Sequence, residues 1–584
     1  MQFVHGRMRW WVQLGLAGAA GLGVSCNVIF GINEYSDDAP STSSGGGTAG
    51  SGGTAGTAGN ASSGGVGGSG GLAGSGGTSG SGGVTCTPAE QVPCYDGPPG
   101  SRGIGACADG TMECKPTGDA FGPCVGAVKP QTENCDTAVD EACNGSAGDD
   151  CGIPVADIWH AGDGNHQAGT AVAIDSTNRP IFVGNFSGNI DLSCGSLAIP
   201  SNDTNSFVVQ LDSDLGGCGW RAGFGDDGAV QLGQAVALGQ GVKPTIAGAY
   251  SGQIPQCALS SATGRSYVLQ LSGPSGACLW ARQLGDAAAG VGVDMDAQGN
   301  TLVANIFSGS VDAGCGMSTS QGAGDILVAK LDPAGQCLWQ KSFGDSLSQG
   351  ALDVLVHPDG DIFATGQFQG NLSGVACSES NEGMVNTGGD DIFLMKLDGL
   401  DGSCRWLKGF GNASAGVNVG EHLEVTPGGD VLLVGHFTGD IDFGNGSINA
   451  PGGDTFIAAF DANGNHAWTR TLGNAGAQVN IAVDKSTGNI VLAGGFVGQL
   501  NVEPISLISD SGSKDVLLAK LDPVGTTIWA RSIGDSMEQS ASGVAVDNGG
   551  NIFVTGHFYG AINFGNGSVT SAGGNDVFVT KLSK

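Results

Sequence analysis

The sequence predicts an all-β protein: a seven-bladed β-propeller with four-stranded blades, preceded by a small disulfide-rich module and a disordered linker. Three observations carry this reading. Seven tryptophans (Trp159, Trp220, Trp280, Trp339, Trp406, Trp468 and Trp529) recur at intervals of 59 to 67 residues, and self-similarity at a near-fixed period marks a repeat architecture. Charged residues make up 13% of the 584 positions while glycines number 109, a balance that speaks against long helices and coiled coils. The 17 cysteines fall as one near the N-terminus, eight between Cys86 and Cys151, and eight between Cys194 and Cys404. One odd cysteine and two even sets suit an exported, disulfide-bonded chain.

The charge balance narrows the function classes. Lys and Arg number 22 against 55 Asp and Glu, a net charge of -33, which repels phosphate backbones and anionic headgroups and attracts cations. A nucleic-acid partner is excluded on this ground, and a monomer is expected.

From the N-terminus, residues 1–25 read as a signal peptide. His5, Arg7 and Arg9 precede an apolar run from Val12 to Val24, too short to span a bilayer, which needs about 20 residues. The run ends in mostly small residues, Leu22, Gly23 and Val24, followed by Ser25 and Cys26. This pattern resembles a bacterial lipoprotein signal, and the resemblance implies a mature chain beginning at a lipidated Cys26. The membrane is then met only through that anchor, at the outer membrane or cell surface.

Residues 26–85 are expected to form a disordered tether. The stretch is rich in Gly, Ser, Thr and Ala, carries no charge between Asp38 and Glu90, and has nothing to bury. Residues 86–151 form the cysteine-rich module, with Cys86, Cys94, Cys107, Cys114, Cys124, Cys135, Cys143 and Cys151. So few large apolar residues cannot build a core, so four disulfides are expected, with their pairing left open among 105 connectivities. The run around Cys135 and Cys143, with Asp136, Asp140 and Glu141, resembles the cysteine-rich motif described as metal-binding in surface proteins of myxobacteria and copper-scavenging methanotrophs. Its carboxylates are oxygen ligands of the kind Ca²⁺ takes; the alternative is that they solvate and cap disulfide-bonded turns.

Residues 153–584 hold the repeats. Each copy runs from its Trp to a Gly-Asp or Gly-Asn pair, then through an alternating apolar stretch such as Val544-Ala545-Val546-Asp547 and a turn to a second stretch. An aromatic follows in all seven copies (Phe186, Tyr250, Phe307, Phe368, Phe437, Phe496, Phe558), with a glycine two residues later. A third stretch leads through a glycine turn to the next Trp. These stretches are short, β-branched and bounded by turn residues, which makes four strands per repeat. Short turns join the first strand to the second and the third to the fourth, so the first stretch is innermost and the Trp strand outermost. The seventh repeat lacks an outermost strand, and the Trp159 strand is expected to close the ring. The repeat resembles the bacterial β-propeller repeat of the SBBP type and, more distantly, the NHL-type propeller. That resemblance implies a binding or scaffold platform and no particular chemistry.

Three sets of candidate site residues follow. Cysteine pairs Cys194 with Cys218, Cys257 with Cys278, Cys315 with Cys337, and Cys377 with Cys404 are present or absent together in a repeat, which points to disulfides within repeats. The Gly-Asp position supplies Asp163, Asp226, Asp286, Asp345 and Asp535, with Asn412 and Asn474 in the other copies. These are candidate Ca²⁺ ligands around one channel mouth, or else residues that each cap their own loop. The residue before the shared aromatic varies most, and Asn185, Gln367, His436 and His557 at that position are candidate ligand-rim residues. No other cofactor is implied. The function expected is non-enzymatic binding of a protein, glycan or small ligand, with Ca²⁺ assistance. The alternatives are a propeller hydrolase or lyase, whose Asp, Glu, His or Arg would converge in the channel, and copper or calcium binding by the cysteine-rich module.

Overall fold

The computed structural model describes residues 86–98, 101–131, 139–141, 143, 155–198, 203–226, 228–239, 243–285, 291–382, 384–386, 388–411, 416–474 and 477–584. The signal segment, Cys26, the tether, Cys135, Cys151, Asp136, Asp286 and Asn412 lie outside the described residues.

The described residues divide into two compact units, 86–97 with 108–128, and 98–107 with 129–584. In the smaller unit, strands Gln91–Cys94 and Gly110–Glu113 form an antiparallel ribbon. Disulfides Cys86–Cys114 and Cys94–Cys124 tie its loops. Within the larger unit, Cys107 bonds to Cys143.

The larger unit holds the propeller, and the seven predicted four-stranded blades are present. Blade 1 comprises Gln167–Ile174, Pro180–Phe186, Asn205–Leu211 and Cys218–Phe224. Blade 2 comprises Gln231–Leu238, Pro244–Ile254, Leu259–Leu271 and Cys278–Gln283. Blade 3 comprises Val291–Met295, Thr301–Phe307, Asp325–Leu331 and Cys337–Phe343. Blade 4 comprises Gln349–Val356, Ile362–Phe368, Asp391–Leu397 and Cys404–Phe410. Blade 5 comprises Val419–Val425, Val431–Asp442, Ser447–Phe460 and His466–Thr471. Blade 6 comprises Gln478–Val483, Ile490–Val497, Lys514–Leu521 and Thr527–Ile533. Blade 7 takes three consecutive strands, Gln539–Val546, Ile552–Phe558 and Asp576–Leu582, and its outer strand is Val155–Ala161 from the other end of the repeat region. The first strands of the seven blades touch in a closed ring, so they line the central channel.

Each blade packs on both faces, which is why its second and third strands are mostly apolar with only isolated polar residues. Asn205–Leu211 and Asp391–Leu397 are buried along their whole length. The shared aromatics are all buried, and the glycine two residues beyond each has φ between +69° and +87°, a turn that a side chain would strain.

The periodic tryptophans latch neighbouring blades. Trp220, Trp280, Trp339, Trp406 and Trp468 each lie over a glycine in the third-to-fourth-strand turn of the following blade: Gly276, Gly335, Gly402, Gly464 and Gly525. A Cβ there would meet the indole, and φ of +64° to +79° demands glycine as well.

The connection from second to third strand departs from the simple four-strand repeat. It carries an extra two-stranded hairpin in blades 1, 3, 6 and 7, and a prolongation of the two strands themselves in blades 2 and 5. In blade 4 a short strand, Ser380–Glu382, instead runs parallel to the outer strand. The four cysteine pairs bond this excursion to the outer strand in blades 1 to 4. Blades 5 and 7 have no such bond, and a larger apolar plug takes over. Where blades 1 and 3 have Leu192 and Ala313, two residues before the bonded cysteine, blades 5 and 7 have buried Phe443 and Phe564. Phe443 packs 4.6 Å from Phe456 and 5.3 Å from Phe410, ring centre to ring centre. An aromatic core contact there does the anchoring that a covalent staple does elsewhere.

Candidate functional site

Ionisable side chains on the channel-lining strands are confined to three neighbouring blades. Blade 3 contributes Asp294, blade 4 Asp353, and blade 5 Glu421, His422 and Glu424, whereas the inner strands of blades 1, 2, 6 and 7 carry none. Inner-strand edges have no further strand to pair with, so their N–H groups need other acceptors. Asp294 Oδ2 accepts Val356 N of blade 4 at 2.8 Å, and Asp353 Oδ2 accepts Leu423 N of blade 5 at 2.8 Å. Glu424 Oε1 accepts Lys485 Nζ of blade 6 at 2.6 Å. A single line of carboxylates therefore stitches blades 3 to 6 along the channel.

Burial pushes the Asp294 carboxyl up to about 6, against the pull of its two backbone hydrogen bonds. Burial pushes Asp353 higher, to about 7, with repulsion from Asp294 and Glu424 added. Glu421 and His436 pair at 3.3 Å. Burial opposes both charges, but their hydrogen bond and mutual attraction prevail, holding Glu421 below and His436 above their usual values. His422 beside them is pushed down by burial, which favours its neutral form. This wall can hold a cationic group or exchange protons near neutrality.

The Gly-Asp residues form a different device. Asp345 Oδ1 accepts Leu347 N at 2.8 Å and Gln349 Nε2 at 2.6 Å, while Oδ2 accepts Asn371 N at 2.7 Å. Asp535 does the same with Met537 N, Gln539 Nε2 and Ala561 N, and Asp163 with Asn165 N, Gln167 Nε2 and Asn189 N. Asp226 accepts Gln231 Nε2 and Gln253 N. Each carboxylate clasps the blade's entry loop to the residue just past the shared left-handed glycine. Burial alone would raise Asp163 and Asp535, but these hydrogen bonds outweigh it and keep both below the usual carboxylate value. Among the described residues, no three of His, Cys, Asp and Glu converge to hold a metal ion.

The variable position before the shared aromatic lies within the second strand of each blade. Asn185 Oδ1 accepts Gly233 N of blade 2 at 2.9 Å, Gln367 is buried, His436 meets Glu421, and His557 stands 3.8 Å from Glu538. In the module, the backbone carbonyls of Asp140 and Glu141 accept Ala106 N and Gln131 N.

Sequence reasoning missed two partners of the Gly-Asp motif. One is the clasp glutamine, four residues after Asp163, Asp345 and Asp535 and five after Asp226, a spacing visible on alignment of the repeats. The other is the acid that opens the third strand: Asp325, Asp391, Asp515 and Asp576. These are buried, and their carboxyls occupy the space where a Cβ of Gly344, Gly411, Gly534 and Gly162 would stand. The motif's glycine is there for room and its aspartate for the clasp.

No family model matches the chain. Over 291 residues it is 24% identical to an uncharacterized WD repeat-containing protein of Acanthamoeba polyphaga mimivirus, a match covering 40% of this chain and 21% of that protein. The chain thus spans about a fifth of the curated relative it matches. Among solved structures, it is similar to an acylaminoacyl peptidase of Pyrococcus horikoshii (12% identity, 68% of this chain and 51% of that one, TM-score 0.35). It is also similar to a quinohemoprotein alcohol dehydrogenase of Comamonas testosteroni (10% identity, 73% and 77%, TM-score 0.32) and to a calcium-binding regucalcin of Agrobacterium tumefaciens (12%, 48% and 70%, TM-score 0.24). At these scores no residue role passes from those proteins to this chain.

Proposed function

We propose that this chain is an exported lipoprotein whose propeller serves as a non-enzymatic binding platform for a protein, glycan or small ligand, presented from the outer membrane or cell surface on the tether of residues 26–85. Seven disulfides among the described residues fit an oxidising extracellular or periplasmic setting. Among the described residues no helix is long and apolar enough to cross a membrane. Anchoring through Cys26 has a direct test: Cys26→Ser should move the protein from the membrane to the soluble fraction of its host, and unchanged fractionation would sink the anchor.

The observation that carries the platform reading is the inequality of the two ends of the ring. Entry loops and second-to-third-strand connections leave the blades at one end. Among the described residues they present eight large exposed apolar side chains, including Leu347, Val385, Ile508 and Met537. The opposite end presents Leu400 and Val524. Clustered exposed apolar groups with polar surroundings mark interaction surfaces. Peptide and glycan arrays probed with the full chain should give hits that Leu347→Asp with Val385→Asp weakens and Leu400→Asp with Val524→Asp leaves intact. Hits indifferent to both pairs would overturn the reading.

A propeller hydrolase or lyase is the second reading, and the confinement of Glu421, His422 and Glu424 with Asp294 and Asp353 to one side of the channel favours it. Ca²⁺ and Cu²⁺ remain ligand classes of the platform or the cysteine-rich module; either ion at 100 times its dissociation constant would add about 2.7 kcal/mol to unfolding.

A further inference from the structure

We propose that the apolar cluster at the junction of blades 6 and 7 docks a cationic amphipathic segment of a partner protein. This deepens the platform reading by naming a place on that end and the chemistry of its occupant.

Ile508 is 72% exposed, Val497 45%, Met537 43% and Tyr559 41%. Such side chains are ordinarily tolerated singly, but these four belong to segments that are tied together. Gln499 pairs with Ile508, so Val497 and Ile508 flank the neck of the blade 6 hairpin. Ser513 Oγ lies 2.7 Å from the carbonyl of Asp510 and 2.9 Å from that of Asp535, which joins the hairpin's return to the entry loop of blade 7. Tyr559 N donates to the Glu538 carbonyl at 2.8 Å, and Met537 Cγ lies against Gly560. The segments that carry these side chains are tied across two blades and are pre-organised, so a partner would not have to order them.

Charge selects the occupant. The acids interleaved with the cluster are Asp510, Asp535 and Glu538, with the Lys514 ammonium 3.7 Å and the His557 ring 3.8 Å from Glu538, so acids still outnumber bases there. A second copy of this chain would bring another net charge of -33, and anionic lipid or nucleic acid would be repelled for the same reason. A segment with Leu-like anchors flanked by Lys or Arg satisfies both the apolar side chains and the acidic rim.

The test uses the full chain and two synthetic 18-residue amphipathic peptides, one with Leu on one face and Lys on the other, and one with Glu replacing Lys, followed by fluorescence anisotropy at physiological salt. The Lys peptide should bind saturably. Ile508→Ser with Met537→Ser should weaken it at least tenfold at an unchanged melting temperature, and Leu400→Ser should have no effect. No binding of the Lys peptide, equal binding of the Glu peptide, or full binding to the double variant would overturn the proposal. Loss caused by Leu347→Asp with Val385→Asp alone would overturn this site while keeping the platform.

Discussion

Trp406→Ala is expected to cost about 3–5 kcal/mol of propeller stability, the range for deleting a buried aromatic. Trp406 is 1% exposed and does three things at once. Its ring covers Gly464 in the next blade, where a Cβ would come within 3.1 Å. Its edge meets Phe363 at 5.6 Å and 76°, and its Nε1 lies 3.4 Å from the Ala462 carbonyl. Lys396 Nζ reaches that same carbonyl at 3.1 Å, so the vacancy would also loosen a buried ammonium. Trp468 makes the equivalent latch onto Gly525 but is only half-buried, so Trp468→Ala should cost clearly less. Denaturant midpoints of the two variants check this. Equal losses would mean that the depth of burial of the latching indole does not set its cost.

The second large effect is on pH. Asp294 and Asp353 sit at about 6 and about 7 in the folded chain against an ordinary 3.8. A carboxyl whose pKa folding raises binds its proton more tightly in the native state, so its stabilisation is complete below about 4 and is lost as pH rises through its folded value. His436, raised by Glu421, and Asp325, Asp454, Asp515 and Asp576, raised chiefly by burial, act in the same direction. His422 and His466, lowered by burial, oppose them. Below about 4 the balance reverses, because carboxylates such as Asp359, which hydrogen bonds hold at about 2 despite burial, must then take up protons. Thermal unfolding should therefore show a midpoint several degrees higher near pH 5 than near pH 8. Asp353→Asn, which keeps an oxygen for Leu423 N without the charge, should flatten that slope. A midpoint rising steadily from pH 5 to 8 in the unaltered chain would contradict the assignment of these carboxyls.

Much of the fold was legible because each blade repeats the same local demands. An indole at one position, an aromatic followed by a turn glycine at another, and apolar runs between them give the number and order of strands without any knowledge of contacts. The excursion hairpins escaped notice because their strands, such as Ser310–Val311 and Ala561–Ile562, are two residues long and carry no periodic signal. The Gly-Asp position stood out in the repeats, yet whether it clasped a loop or faced a cation depended on the glutamine downstream and on the acid opening a strand of the neighbouring blade.

The channel shows the limit most clearly. Asp294, Asp353 and Glu424 read in sequence as ordinary polar positions of alternating strands, and only the closed ring sets two of them against the backbone of the next blade. Sequence by itself determined the repeat count, the strand order and the pattern of cysteines across blades, since each is a property of a residue within its own period. Tertiary structure decided which acids are buried, which are clasped and which end of the ring exposes apolar side chains. The physical reason is that each depends on a partner outside the strand's own pattern: about 26 positions away for the clasp of Asp345 onto Asn371 N, and 62 and 70 for Asp294 with Val356 and Asp353 with Leu423 in the next blade.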